Sequence, residues 1–536
     1  MSFQPDPRST ASAELAPTEQ VDVLVIGAGA AGMAAARQAA GDGRSVMLVD
    51  ENPVSAETMG ENVPLHFGGG MTGAVRNRNA MLEAVALGMP ALEAALEDGV
   101  DVRLGTACWG IYTPGPDIGW LDGPVAGLMD GERSWMVRAG RIIVTAGRRD
   151  MGLAFPGWEK EGVMGITAAQ RLAGLYDALL PRRVVVLGSS ADTLRVARDI
   201  QTKGCMVLAV VDPGSVLRGP AALAAELEAD GTRVLLGHAP ARAEGQAAVS
   251  ALTLRPVMPD GQAGEGAEIR LDCDGVLLGV GSVPVVDLLD AAGCRMSFDA
   301  ARGGIVPFLD DRQMTTRPGI YAAGDCAGIW PEKSADTTIA EAEGQRAAMA
   351  EPGCGVDPHL ASSDLAEERM AWVRATVLDS GDACHVCQCE EVTARDILEV
   401  RPPRYLGAET PDNEALRPNR RDLRGLLGDR PHPDQVKRLT RAGMGQCQGR
   451  RCREQVAALL ALGSGQDYGA VRPASHRAPV RPIPVALAAQ AVTETPAMAA
   501  HWDTWFGMPA QYVPFWAVAD EYTASSRPRH SSDASE

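Results

Sequence analysis

Residues 21–50 read VDVLVIGAGAAGMAAARQAAGDGRSVMLVD, and this stretch decides the fold. A run rich in valine ends at Ile26, small residues follow, and a second apolar run ends at Asp50. That order is strand, helix, strand. At the first junction Gly27, Gly29 and Gly32 fit the G-x-G-x-x-G fingerprint in the position it requires. Gly27 allows the tight turn, Gly29 lets the backbone approach a pyrophosphate, and Gly32 permits close packing of helix on strand. The phosphates then rest on the helix N-terminus at Ala30 and Ala31, where unpaired amides and the helix dipole favour an anion. Asp50 closes the second strand, where a carboxylate bonds the adenosine ribose, and Glu51 is a weaker candidate for that task.

The pattern repeats from Arg183: VVVLG, a helix containing Leu194 to Ile200, then VLAVVDP. Two such units imply an α/β protein with two nucleotide-shaped, Rossmann-like domains. Further strand-like runs (TRVLLG, DGVLLGVG, GIYAAGD) and a helix from Asp336 to Met349 complete this part near residue 350. The second turn is degraded. It reads GSSADT from Gly188, so Ser190 and Thr193 stand where the second and third glycines belong. Ser190 is expected to hinder a pyrophosphate and Thr193 to loosen helix–strand packing. Asp212, ending the next strand, suits an unphosphorylated ribose and repels a 2′-phosphate. NAD(H), another adenine nucleotide held statically, and an empty site all remain open.

Two later segments support a flavin in the first unit. GRIIVTAGRRD carries Thr145, Ala146 and Gly147, and GIYAAGDCAG carries Gly324 and Asp325. They resemble the two signatures of glutathione-reductase-like flavoproteins, and the resemblance implies FAD, with Asp325 at its ribityl and pyrophosphate region. The disulfide reductases of that superfamily carry a cysteine pair after the first unit. Here that region reads NPVSAETMGENVPLHFGGG and has none, so a disulfide-reductase mechanism is not expected. Cys326 reads as a small packing residue.

There are 11 cysteines, and five of them crowd between Cys384 and Cys452. In a reducing compartment such crowding signals a metal or redox centre rather than disulfides. Cys387 and Cys389 form a CxC in CHVCQCEEVT; Cys447 and Cys452 follow in GMGQCQGRRC. Four thiolates on two loops suit a [2Fe-2S] cluster, although zinc accepts the same set. Such a cluster carries about two net negative charges, and Lys437, Arg438, Arg441, Arg450, Arg451 and Arg453 flank the second cysteine pair. A helical run, REQVAALLALG, begins just after Cys452, so its N-terminus is expected to face the cluster. Cys384 is a spare, and Cys108, Cys205, Cys273, Cys294 and Cys354 read as ordinary buried residues.

At 536 residues with a formal charge of -19, the chain is long enough for several cores, and its charge disfavours nucleic acid. No apolar stretch suggests a signal peptide or transmembrane span, which points to the cytoplasm. The reading divides the chain into a tail (1–20), an FAD-binding domain (21–152 and 300–350), a second nucleotide-binding domain (153–299), a small α-rich [2Fe-2S] domain (380–465) and a C-terminal extension (466–536). The extension concentrates Trp502, Trp505, Phe506, Tyr512, Phe515 and Trp516, which suit either packing on the chain itself or contact with a second protein.

The order of these parts, with CQCEEVT and VKRLTRAGMGQCQGRRC, resembles the larger FAD-containing subunits of bacterial amine-oxidising complexes: opine oxidases, hydrogen cyanide synthase and dye-linked proline or D-hydroxyproline dehydrogenases. The α subunit of sarcosine oxidase has a related module, and the cysteine segment is similar to bacterioferritin-associated ferredoxin domains. The resemblance implies a second FAD-containing subunit that oxidises an amino acid, imino acid or opine, with this chain relaying the electrons. Two rivals stand beside it: a stand-alone NAD(P)H-dependent reductase feeding a ferredoxin-like acceptor, and a non-catalytic assembly subunit. No catalytic base is identifiable; His66, Arg76 and Arg78 suit a carboxylate but read more simply as surface residues.

Overall fold

The computed structural model describes residues 17–53, 78–89, 91–114, 121–174, 176, 178–349, 364–378, 380, 383–400, 425, 427–428 and 430–490. His66, Arg76, the Pro/Arg-rich stretch after residue 400 and the aromatic segment at 502–516 lie outside them, as does the side chain of Arg78.

Strand β1 (Glu19–Ile26) is buried from Val23 to Ile26, and helix α1 (Ala30–Gly41) returns the chain to β2 (Val46–Asp50). The two strands pair in parallel, with Val23 beside Val46 and Ile26 beside Val49. β1 begins before residue 21, since Glu19 and Gln20 already pair with Val137 and Arg138. β3 (Asp101–Leu104), β4 (Ala107–Tyr112), β5 (Val125–Met129) and β6 (Ser134–Val144) complete a sheet of order β3-β2-β1-β6-β5-β4, and Ile320–Ala322 adds alongside β6. The antiparallel ribbon of β4, β5 and β6 has no counterpart in the sequence reading. Its strands carry glycines in place of an alternating pattern, and Gly127 makes room for the Trp109 ring, which a Cβ there would approach to 2.3 Å.

The second sheet is wholly parallel. β7 (Val163–Gly165) and helix α2 (Ile166–Gly174) precede β8 (Arg183–Leu187), α3 (Ala191–Thr202), β9 (Met206–Asp212), β10 (Arg233–Leu236) and β11 (Gly275–Leu278), in the order β10-β9-β8-β11-β7. Its strands are apolar on both faces, as a parallel sheet covered on both sides requires. After the short helix α4 (Asp287–Ala291) the chain returns to the first sheet, and α5 (Thr337–Ala348) packs on α1. Gly344 makes that contact close, since a Cβ there would lie 2.0 Å from the Ala31 carbonyl oxygen.

Beyond residue 400 the two longest described helices are α6 (Pro433–Thr440) and α7 (Arg453–Ser464). The cysteine segment shares its apolar interior with the second sheet: Val386, Ile397, Val436 and Leu459 belong to one buried cluster with Phe155, Trp158, Val185 and Val211. Among the described residues no helix is long and apolar enough to cross a membrane.

Candidate functional site

The first glycine turn is built from close approaches. Gly27 has φ +111°, and a Cβ there would lie 2.3 Å from the Thr145 carbonyl oxygen. A Cβ on Gly32 would lie 1.8 Å from the Gly27 oxygen and 2.7 Å from the Thr145 hydroxyl. That hydroxyl sits 2.9 and 2.8 Å from the carbonyls of Ile26 and Gly27, tying Thr145 to the turn. Gly29 is different: its α-carbon faces open space, and as the cap of α1 it offers no side-chain acceptor to the first-turn amides. An anion can take that place. Asp50 steadies the turn through Oδ2, which accepts from the Ala28 N–H at 2.7 Å, while Oδ1 accepts from the Asn52 backbone at 2.8 Å.

Gly27, Gly29, Asp50, Glu51, Ala146 and Gly147 line one cavity of about 460 Å³, whose other wall includes Cys447, Arg450, Arg451 and Arg481. Ala30, Ala31 and Gly32 stand behind the turn in α1. Asp325 lies beside the cavity, 3.4 Å from the Nε of Arg148, which does line it. Burial raises the Asp325 carboxyl above its ordinary value against the opposing charge of Arg148. The N–H of the adjacent Gly324 donates to Glu343 at 2.8 Å, and Glu343 pairs with the buried Lys333 at 3.0 Å. These residues fit FAD: an open helix N-terminus, a glycine turn and a carboxylate at the strand end.

The second unit has the same skeleton filled from within. Gly188 keeps its turn, with φ +106°. Ser190 caps α3 by accepting the Thr193 N–H at 3.2 Å, so the chain itself occupies the position that stays open at Gly29. Thr193 does not loosen the packing. It is 3% exposed, its hydroxyl donates to the Gly279 oxygen at 2.7 Å, and a Cβ on Gly279 would collide with its methyl at 2.5 Å. The glycine has moved to the position just after β11. Asp212 is 1% exposed and accepts from the Ser189 hydroxyl at 2.8 Å and the Gly214 N–H at 2.8 Å, with Arg218 Nε at 3.5 Å. Gly219 folds over the turn, where a Cβ would lie 2.9 Å from the Ser189 oxygen. The Ser190 hydroxyl and the Gly219 segment thus occupy the turn whose counterpart at Gly29 is open.

The four cysteines come together. Cys387 Sγ lies 3.9 Å from Cys389 Sγ, which lies 3.8 Å from Cys447 Sγ, and the Cys452 thiol faces Cys387. Cys387 and Cys452 are each 1% exposed, whereas Cys389 and Cys447 are half-buried. The Gly443 N–H donates to Cys387 at 3.3 Å, and a Cβ on Gly445 would come within 2.5 Å of Cys389 Sγ, so the loop needs a glycine there. Helix α7 starts directly after Cys452. Among the described residues, no group of three or more His, Cys, Asp or Glu side chains converges on a single ion position. Part of the flanking positive charge is taken up by carboxylates: Arg441 pairs with Glu390 at 2.5 Å, and Arg450 and Arg453 with Asp287 at 3.2 and 3.4 Å. Arg451 stays close to the sulfurs, over the Trp158 ring at 5.0 Å. Cys384 pairs with Ser380 at 3.0 Å instead of joining the set, and Cys326 is fully buried.

Residues 21–345, more than half of the chain, match the family described as pyridine nucleotide-disulphide oxidoreductase. The chain belongs to that family. The opine oxidase of Agrobacterium tumefaciens (strain Ach5) has an A subunit that is 28% identical over 500 residues, covering 87% of this chain and 90% of that protein. The alpha subunit of sarcosine oxidase from Corynebacterium sp. (strain P-1) is 26% identical over 333 residues, covering 61% of this chain and 32% of that one. L-proline dehydrogenase from P. horikoshii shares the fold, with a TM-score of 0.54 at 18% identity over 88% of this chain and 80% of that one. This member of the family is an FAD-dependent oxidoreductase.

What sequence reading missed in this oxidoreductase is the junction between its two halves. Asp287, at the start of α4, is buried and lies 2.8 Å from His476 Nε2, 3.2 Å from Arg450, 3.4 Å from Arg453 and 3.5 Å from Arg481. Burial opposes its charge, yet the His476 hydrogen bond and the arginines hold its carboxyl well below the ordinary range. Arg149 adds a second tie, 2.6 Å from Glu454 and donating to the Arg450 oxygen at 2.7 Å. Gly152 lets the flavin-side loop meet the cysteine loop, since a Cβ there would lie 2.2 Å from the Arg451 oxygen. A carboxylate beside a short helix carries no motif, so only the cluster of arginines near Cys452 hinted that a buried acid was needed.

Proposed function

We propose that this chain is the electron-transferring subunit of a heteromeric dehydrogenase or oxidase acting on an amino acid, imino acid or opine. FAD would be held by Gly27, Gly29, Gly32, Asp50, Ala146, Gly147, Gly324 and Asp325, and a [2Fe-2S] cluster by Cys387, Cys389, Cys447 and Cys452. The observation that carries this reading is the single cavity that the first glycine turn and the Cys447 loop both line. A bound flavin would supply two-electron chemistry, and a bound cluster would accept electrons singly. The chain's part is to hold both sites against one another: Arg149, Glu454 and Gly152 clamp the cysteine loop to the flavin-side strand. The opine oxidase and sarcosine oxidase relatives are each named as one subunit of their enzyme, which supports a partner, here read as a second FAD-containing protein that oxidises the amine.

The test is co-expression with the neighbouring genes, followed by a screen of amino acids, imino acids and opines by dye reduction. Amine-dependent reduction that needs both chains supports the reading. Activity of this chain alone with NADH overturns it.

Anaerobically prepared protein is expected to hold about two irons per chain, with a broad visible shoulder beneath the flavin bands. Cys389→Ser and Cys447→Ser should lose both iron and shoulder while retaining flavin. One zinc per chain in place of iron would refute the cluster.

The capped and covered second turn argues against the stand-alone NAD(P)H reductase. Stopped-flow mixing with NADH is expected to reduce the flavin below about 0.1 s⁻¹, at least tenfold under the low end of ordinary turnover, about 1 s⁻¹. Reduction at catalytic speed would show that the segment over the turn opens.

A further inference from the structure

Residues 474–482 leave the cysteine-bearing half and run across to the first sheet. The Ser475 hydroxyl donates to Asp434 at 2.6 Å, and the His476 ring lies between Asp287 and Asp290, at 2.8 and 2.7 Å. The Val480 N–H donates to the Trp109 oxygen of β4 at 2.7 Å, while the Val480 oxygen accepts from Arg450. Ala478 packs on Gly110, where an added Cβ would meet it at 3.0 Å. Arg481 and Pro482 then form part of the cavity wall.

Arg481 joins two sides of that cavity through one guanidinium. Its Nε lies 2.6 Å from Glu51 Oε2 and its Nη2 3.3 Å from Oε1, while Nη1 lies 3.5 Å from Asp287 Oδ2. Glu51 follows Asp50, the residue at the adenosine end. Its carboxylate is therefore turned to Arg481, not left for a ribose. Glu51 is half-buried in the cavity wall, and the charge of Arg481 holds its carboxyl below the ordinary value against the effect of burial. Without that partner the carboxylate has no fixed place in the wall of the cavity.

We propose that Arg481 is a positioning residue of the flavin site, and that the strap 474–482 holds the cofactor in place by fixing Glu51 against the docked cysteine half. The proposal rests on the reading of the cavity as the FAD site. Nothing in the fingerprint announces it, since Arg481 lies more than four hundred residues from Glu51 in sequence.

The experiment measures release of FAD from the full-length holoprotein, followed as recovery of free-flavin fluorescence after dilution. Arg481→Gln is expected to speed release at least tenfold, and Arg481→Lys to fall between the two, because an ammonium restores the charge but not the paired contact. Arg481→Gln combined with Glu51→Gln should release FAD about as fast as either single variant, since both remove the same pair. A purely structural role would lower the melting temperature in step with release. A positioning role speeds release while the Asp287–His476 contacts keep the melting temperature near that of the wild type. Release from Arg481→Gln at the wild-type rate overturns the proposal. If that variant is insoluble, Glu51→Gln decides by the same measurement. Wild-type protein that never holds FAD would sink the flavin assignment itself, a result distinct from failure of the strap.

Discussion

Replacing Asp287 with alanine is expected to destabilise the protein by about 3–5 kcal/mol, the cost of removing one partner from a buried ionic cluster. The side chain is 6% exposed and faces three guanidiniums and an imidazole. Without it Arg450, Arg453 and Arg481 would repel one another in a largely enclosed space. Asp287→Asn should lose somewhat less, because the amide oxygen still accepts hydrogen bonds. Denaturation followed by circular dichroism measures both. A loss under about 1 kcal/mol would place the arginines in solvent, as for an exposed ion pair. The sign of the pH dependence follows from the depressed carboxyl of Asp287. Its contribution is complete above the unfolded value of about 3.9 and is lost only as the pH falls below it towards the folded value.

Gly32→Ala should eliminate flavin binding. The added methyl would sit 1.8 Å from the Gly27 oxygen and 2.7 Å from the Thr145 hydroxyl, so the helix must lift from the turn. Overpacking costs typically about 1–3 kcal/mol, and here the obstructing atom is backbone, which cannot swing aside. The purified variant is expected to be colourless in the flavin bands. Gly41→Ala, at the other end of α1 with nothing within 4 Å of its Cβ, is the control and should keep its flavin. Yellow Gly32→Ala protein would mean that the turn is looser than its contacts imply.

How much of this was legible in the chain depends on the range of the interactions. The β1-α1-β2 unit, the glycine turn and Asp50 announce themselves because the geometry is local: each role falls within about thirty residues of the others. The degraded turn was legible as a defect but not as a repair, since Thr193 is compensated by Gly279 and Asp212 is covered by Arg218. The four cysteines were found by type and crowding, while their basic surroundings were misjudged in part. Arg450 and Arg453 serve Asp287, which stands far from them in sequence and belongs to no motif. The start of the extension reads only as Pro/Ala/Val-rich sequence, because the meaning of residues 474–482 lies wholly in what they touch.

The apolar interior that the cysteine segment shares with the second sheet bears on how the holoprotein is made. Val386, Val436 and Leu459 share one buried cluster with Val185 and Val211. The segment that carries the four thiols is therefore expected to complete its packing against a second sheet already folded. A fragment cut free near residue 380 would expose these apolar side chains and is expected to aggregate.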